Sequence, residues 1–154
     1  SEEIDGMSVT NIIEDNYILD DSTIIVTHDA ARPFINNRII SENIETAIRY
    51  GAATTAVPAT DTILYCPGGK TVESITDRQA LYMCQTPQTF FAKELRELYN
   101  RLSDNEKEQL TDASGIYIKN KLPVGIVQGE MYNFKITYPN DLFVAEEYIK
   151  RGIV

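Results

Sequence analysis

The chain has 154 residues, of which 43% are hydrophobic and 24% charged, and this composition suits one globular domain and excludes a fibrous or disordered chain. Its 14 basic and 23 acidic side chains give a formal net charge of −9, which disfavours nucleic acid and anionic membrane surfaces as partners. No apolar run approaches the ~20 residues of a membrane helix. Residues 1–5 lack the basic start and the apolar stretch of a secretory signal, so we expect a cytoplasmic protein.

A strand, a helix and a second strand are predicted in the first third of the chain. Residues 23–28 (TIIVTH) are β-branched and almost continuously apolar, which is typical of a strand buried on both faces of a parallel sheet. Residues 36–50 carry apolar side chains at helical spacing, and Gly51 is a good stop signal. Because residues 52–59 return to a strand pattern, we predict a βαβ unit with parallel pairing and a right-handed crossover.

A hairpin and a third core strand are predicted next. Residues 60–76 contain two short strand-like runs around a Pro-Gly-Gly turn, which predicts a β-hairpin that projects from the sheet. Residues 80–85 are typical of a core strand, and TPQTF at 86–90 of a turn. The two cysteines, Cys66 and Cys84, accompany no histidine cluster, so we expect free thiols rather than a zinc site or a disulfide.

The last third of the chain is predicted to alternate helices and strands within one domain, residues 1–154. Thr111 and Asp112 resemble a cap, since their side-chain oxygens can accept from free backbone N–H groups. Pro139 and Asp141 favour the start of a final helix. The predicted elements are a helix at 93–102, an acidic helix after it, a capped segment at 112–120, strands at 123–129 and 132–137, and the final helix from residue 139.

Asp29 and Arg32 lie where the first buried strand ends. Ligands of open α/β sheets bind at the carboxyl ends of strands, so this is where a functional loop is expected. A carboxylate there can hold Mg²⁺, and an arginine offers a planar fork for phosphate oxygens. The alternative is that Asp29 caps the turn and Arg32 forms a surface ion pair. His28 is the only histidine, and we expect backbone groups to satisfy it rather than catalysis to use it.

Six segments of the chain combine polar residues with strand or turn patterns. They are VTHDAARPF at 26–34, PATDTI at 58–63, DRQ at 77–79, QTPQTF at 85–90, TDAS at 111–114, and YNFKIT-x-P-x-D-L from 132. In this order, the set resembles the cytidylyltransferases that activate sugar-alcohol phosphates. Two relatives share it, ribitol-5-phosphate cytidylyltransferase of teichoic acid synthesis and 2-C-methyl-D-erythritol 4-phosphate cytidylyltransferase of isoprenoid synthesis. The segments favour the ribitol enzyme, since Tyr132 stands where the erythritol enzyme usually has an aspartate.

The resemblance implies a reaction in which the alditol phosphate oxygen attacks the α-phosphorus of CTP and pyrophosphate leaves. By motif, Asp29 would be a catalytic residue that binds Mg²⁺, and Lys135 would contact the α-phosphate. Ser8 matches a serine that contacts the cytidine part of the nucleotide. The residues that would line the alditol phosphate pocket are Arg32, Thr62, Arg78, Thr86 and Thr111.

The resemblance also implies the fold and the assembly. We expect an α/β, Rossmann-like, mostly parallel sheet flanked by helices, of the nucleotide-diphospho-sugar transferase type, with a protruding hairpin arm at about 60–78. The arm would join two copies into a homodimer. Arg78 and Thr86 would then complete the partner's site.

The family begins with a glycine-rich loop that wraps the CTP phosphates, and the resemblance here starts at Ser8, without that loop. Either the chain is a fragment of a longer transferase, or it is naturally short and has lost catalysis. We expect a fragment, because the metal and sugar-phosphate motifs survive, and a poor catalyst on its own, because backbone donors supply much of triphosphate binding. The alternative from another class is a non-catalytic module that dimerises or binds a sugar phosphate.

Overall fold

A computed structural model describes residues 20–154. Helix α1 begins after Asn36, whose side chain accepts from the backbone N–H of Ile39, and ends at Gly51, whose φ of 91° suits glycine. The elements are β1 (Ile24–Thr27), α1 (Asn37–Tyr50), β2 (Ala52–Pro58), β3 (Leu64–Tyr65), β4 (Ser74–Ile75), a 3₁₀ turn (Arg78–Ala80), β5 (Tyr82–Phe91), α2 (Ala92–Asn100), α3 (Asp104–Glu108), α4 (Ser114–Lys119), β6 (Gly125–Gln128) and α5 (Pro139–Lys150).

Four strands form the main sheet in the order β1-β5-β2-β6. Strand β5 is antiparallel to β1 and to β2, whereas β2 and β6 are parallel. Strands β1, β2 and β6 therefore share one direction, and the α/β class with flanking helices is confirmed. The predicted direct pairing of β1 with β2 is wrong, because β5 lies between them.

Helices cover both faces of the sheet, because consecutive side chains of strand β2 point to opposite faces and are buried on each. Ala52 packs into a buried cluster with Phe90, Leu95 and Tyr117 of β5, α2 and α4. The next residue, Ala53, points the other way and packs against α1. The core therefore has two layers, and loops at the ends of the strands stay accessible.

Strand β5 runs unbroken through the segment where a turn was predicted at 86–90, so that prediction is wrong. Thr54 pairs with Gln88 while Thr55 pairs with Gln85, so two residues of β5 bulge out of the ladder. One of them is Pro87, which has no N–H for the ladder and follows a cis peptide bond. A bulge accommodates the proline that reads as a turn signal in the sequence.

Residues 132–137 form a loop rather than the predicted strand, and the expected backbone ladder is absent from this stretch. One backbone–backbone hydrogen bond joins this loop to the turn after β1, from the Ile136 N–H to the Ala31 carbonyl at 2.8 Å. The strand predicted at 123–129 is confirmed as β6, and the final helix from residue 139 as α5. Asp112 does accept from the Gly115 N–H at 3.0 Å, but α4 begins at Ser114, so Thr111 lies outside its first turn.

The predicted hairpin is confirmed as a separate two-stranded sheet, β3 paired with β4. We call residues 60–78 the arm. Its large apolar side chains are exposed: Ile63, Leu64, Tyr65, Val72 and Ile75. Within residues 20–154, no helix is long and apolar enough to cross a bilayer.

Candidate active site

An acidic side chain between two basic ones lies just beyond the carboxyl end of β1. A bond from the Arg32 N–H to the Asp29 carbonyl, at 2.9 Å, closes the turn that follows the strand. Asp29 Oδ2 is 3.3 Å from Arg32 Nε and 3.3 Å from Lys135 Nζ. The structure therefore brings Lys135 to two residues of the turn after β1, Asp29 and Arg32, that lie far from it in the sequence. One carboxylate and two cations leave an excess positive charge, which favours an anionic ligand.

The two cations differ in how much they can offer a ligand. The Arg32 side chain is only 12% exposed, and it donates from Nη1 to the Asn133 carbonyl at 2.9 Å and from Nη2 to the Cys84 carbonyl at 3.4 Å. Lys135 is 50% exposed, and Asp29 is its ion-pair partner. Arg32 therefore fixes the frame of the site, while Lys135 presents its ammonium group to solvent.

Thr86 and His28 lie on the other side of the turn. The Asp29 N–H donates to Thr86 Oγ1 at 2.9 Å, and the same oxygen is 3.0 Å from His28 Nδ1. His28 Nε2 is 2.9 Å from the Arg32 carbonyl oxygen. Backbone therefore satisfies one ring nitrogen, through the carbonyl of a residue of the site, whereas the other nitrogen meets a side chain.

Asn133 is a residue of the site that the sequence analysis missed. It is fully buried, and its Nδ2 donates to the Thr86 carbonyl at 2.9 Å and to Gln85 Oε1 at 3.3 Å. The next residue, Phe134, points into an aromatic cluster with Phe34, at 6.0 Å between ring centroids. Two consecutive side chains, Asn133 and Phe134, thus anchor the loop immediately before Lys135. An asparagine between apolar residues in YNFKIT was the available signal.

We call Asp29, Arg32, Lys135 and Thr86 the Asp29 cluster. The other predicted residues are not joined to it. Thr62 is exposed at the base of the arm, and Arg78 Nη1 donates to the Thr60 carbonyl at 2.9 Å. Thr111 is exposed beside Asp112, before α4. Among residues 20–154, none of these three hydrogen-bonds to the cluster. Ser8 lies outside the described residues.

The side chains around Asp29 suit an anion better than a resident metal ion. Residues 20–154 contain no group of three or more histidine, cysteine, aspartate or glutamate side chains that could hold a metal. A cation at Asp29 Oδ2 would compete with Arg32 and Lys135, each already 3.3 Å away. In this part of the chain Asp29 therefore offers a cation a single carboxylate, and the expected binding of Mg²⁺ by Asp29 stays a prediction.

A cavity of about 490 Å³ opens at the opposite end of the sheet, beside Gly51 and Phe91. Its charged residues are Asp21, Lys93, Glu94 and Glu97. Three carboxylates against one ammonium group would repel a phosphorylated ligand. The cluster at the end of β1 is therefore the better candidate site for phosphates.

Comparisons with known proteins agree with the fold. Residues 7–151 match the family described as IspD, 2-C-methyl-D-erythritol 4-phosphate cytidylyltransferase. The structure of that cytidylyltransferase from Thermus thermophilus is 34% identical over 82% of this chain and 62% of the other, with a TM-score of 0.71. The Francisella tularensis enzyme is 26% identical over 84% of this chain and 60% of the other, with a TM-score of 0.73.

A third structure, the 4-diphosphocytidyl-2C-methyl-D-erythritol synthase of Anaerococcus prevotii, is 27% identical over 82% of this chain and 58% of the other, with a TM-score of 0.71. The chain thus spans less than two thirds of the length of each of these structures. The family match nevertheless covers nearly all residues of this chain, including Asp29, Arg32 and Lys135. The chain therefore belongs to the 2-C-methyl-D-erythritol 4-phosphate cytidylyltransferase family.

Proposed function

We propose that this chain forms the alditol-phosphate side of a cytidylyltransferase, which transfers CMP from CTP to an alditol phosphate and releases pyrophosphate. The observation that carries the proposal is the Asp29 carboxylate between Arg32 and Lys135, at the strand end where α/β sheets bind ligands. We favour 2-C-methyl-D-erythritol 4-phosphate as the acceptor, because the matched family and similar structures are named for that chemistry. The comparisons thus favour this alternative over the ribitol 5-phosphate that the sequence segments suggested.

The chemistry requires charge neutralisation more than covalent help from the protein. An oxygen of the alditol phosphate forms a bond to the α-phosphorus, and the bond between that phosphorus and the departing pyrophosphate breaks. Negative charge spreads over the oxygens of the pentavalent transition state, where a fixed ammonium group stabilises it. The half-exposed Lys135 suits this role, and its ion pair with Asp29 keeps the ammonium group in place.

Mg²⁺ enters this proposal with the nucleotide. The ion is usually bound by one or two carboxylates together with substrate phosphates and water, so the CTP phosphates can supply oxygens that the described residues lack. No step assigned to Lys135 or Arg32 depends on it.

The remaining predicted residues keep proposed roles. Arg78 is exposed on the arm, so in a homodimer joined by the arms it is free to reach the alditol phosphate of the partner. The Thr86 hydroxyl lies beside Asp29 of its own chain, so we assign it to the site of that chain. Thr62 and Thr111 stay candidates for the same pocket, and Ser8 for the cytidine.

Binding of the alditol phosphate tests the proposal directly. We expect 2-C-methyl-D-erythritol 4-phosphate to bind the chain more tightly than ribitol 5-phosphate in calorimetric titrations. Lys135→Gln should weaken that binding about tenfold, because a charge-assisted hydrogen bond to phosphate is lost. Lys150→Gln is the matched control, since it removes the same charge from the exposed face of α5. Failure of both ligands to bind, or equal affinities for the two variants, would contradict the proposal.

Pyrophosphate release from CTP, with Mg²⁺ and either alditol phosphate, then tests the transfer. Release that requires one alditol phosphate identifies the acceptor. Binding without release would instead support the sugar-phosphate-binding module as the function of this chain on its own.

A further inference from the structure

His28 closes a ring of hydrogen bonds around the Asp29–Arg32 turn. Its Nε2 is 2.9 Å from the Arg32 carbonyl oxygen, and its Nδ1 is 3.0 Å from Thr86 Oγ1. The same Thr86 oxygen accepts the Asp29 N–H at 2.9 Å, and the Arg32 N–H bonds to the Asp29 carbonyl at 2.9 Å. The imidazole therefore touches both ends of the turn, one directly and one through a side chain of β5.

The hydrogen-bond network determines where the protons of this ring lie. A carbonyl oxygen only accepts, so His28 Nε2 must carry a proton to bond with Arg32. A neutral imidazole has a single N–H, so Nδ1 accepts, and the Thr86 hydroxyl must donate to it. The Thr86 hydroxyl oxygen then accepts a hydrogen bond from the Asp29 N–H, and its O–H donates one to His28 Nδ1. One lone pair of the oxygen remains for another group.

We propose that His28 is a positioning residue of the candidate site. By holding Thr86 and the Arg32 carbonyl, it fixes the turn that keeps the Asp29 carboxylate between the two cations. Thr86 would then meet a ligand as an acceptor, for example of an alditol hydroxyl. The phosphate would be left to Lys135, within the frame that Arg32 fixes. The predicted effect on binding rests on the proposed function, whereas the orientation of the ring does not.

Three substitutions separate the two contacts of the imidazole. His28→Asn places an amide oxygen near the position of Nδ1 and can accept from Thr86. His28→Gln extends an amide nitrogen toward the position of Nε2 and can donate to the Arg32 carbonyl. His28→Ala removes both contacts. If the imidazole merely filled space, neither His28→Asn nor His28→Gln would restore one particular contact that His28→Ala loses.

The single histidine makes the tautomer directly measurable. We expect long-range ¹H–¹⁵N spectra of the neutral ring, recorded at alkaline pH, to show a protonated Nε2 and an unprotonated Nδ1. Thr86→Val removes the hydroxyl donor with little change of shape, and it should shift the ¹⁵N resonance of Nδ1, which loses its hydrogen-bond donor, while the bond to the Arg32 carbonyl keeps Nε2 protonated. An Nδ1-protonated main species, or spectra that Thr86→Val leaves unchanged, would overturn the proposal.

Amide exchange and binding test the consequence for the site. In His28→Ala, the Asp29 and Arg32 amides should exchange faster, while the Ile39 amide at the start of α1 keeps its rate. Affinity for 2-C-methyl-D-erythritol 4-phosphate should fall about tenfold with two hydrogen bonds lost, and Asn or Gln should each restore part of it. Unchanged exchange and affinity in His28→Ala would refute the role. If the wild-type chain does not bind this ligand, the proposed function fails, and the tautomer and exchange still decide the role of His28.

Discussion

At the scale of single residues, Cys84 is the thiol nearest to the candidate site, since its carbonyl accepts from Arg32. Burial raises the pKa of this thiol. The Asp112 carboxylate, with Oδ2 3.7 Å from Sγ, raises the pKa further, because a negative charge disfavours the thiolate. Hydrogen bonds with Thr54 and Gln88 oppose the shift without cancelling it. We therefore expect a slowly reacting thiol at neutral pH.

Asp112→Asn tests this account of Cys84. Loss of the carboxylate charge should lower the pKa of the thiol, increase the thiolate fraction at neutral pH and speed alkylation by iodoacetamide roughly threefold. Asparagine retains an oxygen that can accept from the Gly115 N–H, so α4 keeps its cap. The rates are compared in a Cys66→Ser background, which leaves one thiol. Asp104→Asn, at the start of α3, makes the same charge change elsewhere, and equal rates in the two variants would disprove the electrostatic cause.

The sequence predicted the charged residues of the site but not the amides that hold them. Asp29, Arg32 and Lys135 were found because strand ends and a family motif draw attention to charged side chains. Asn133 was missed, because its burial depends on contacts 47 and 101 residues away in the chain, to Thr86 and Arg32. The asparagine between apolar residues in YNFKIT was a local signal of burial, but nothing local identifies partners so distant in the sequence.

At the scale of elements, local patterns gave the helices and most strands, whereas their pairing depended on distant segments. The helical stripe and Gly51 predicted α1 to within a residue of its observed ends. The insertion of β5 between β1 and β2 has no local signature, because it is decided by which strand edges are buried together. Pro87 was interpreted as a turn for the same reason, since the bulge that accommodates it forms only against β2.

Asp141 ties the start of α5 to the loop that carries Lys135. Its Oδ2 accepts the backbone N–H groups of Thr137 and Tyr138, both at 2.8 Å, and these bonds lower the pKa of the carboxyl group. Because the folded-state pKa is depressed, the stabilisation is present above the unfolded value. It is lost as the pH falls through the folded value.

Asp141→Ala should therefore loosen the end of that loop at neutral pH. We expect faster exchange of the Thr137 and Tyr138 amides, and the difference from the wild-type chain should disappear as the pH falls below the unperturbed value of 3.8. The measurement is amide exchange by NMR, corrected for the intrinsic rate at each pH. Glu146→Ala, on the exposed face of the same helix, should leave these two amides unaffected at every pH. A difference that persists in acid would rule out the carboxylate as its cause.

At the scale of the whole molecule, the arm carries apolar side chains that a single copy of the chain leaves exposed. Five large apolar side chains between Ile63 and Ile75 are 41% to 68% exposed, and β3 and β4 have two residues each. A lone two-stranded hairpin is marginally stable in water, and exposed apolar patches mark interaction surfaces. The Pro-Gly-Gly turn predicted a projecting hairpin, and the exposure of these side chains agrees with that prediction. We therefore expect the arms of two copies to cover each other.

Ile75→Lys tests this assembly, because it places a charge at the most exposed of these positions. We expect the wild-type chain to sediment as a dimer at micromolar concentration and the variant as a monomer. Ile149→Lys is the matched control, since this isoleucine on α5 is 62% exposed, close to the 68% of Ile75. A monomeric wild-type chain would refute the arm-mediated dimer, and loss of the dimer only in the control would move the interface to α5. Since Arg78 is proposed to serve the partner's site, the monomeric variant should also lose affinity for 2-C-methyl-D-erythritol 4-phosphate, although every residue of the Asp29 cluster is intact.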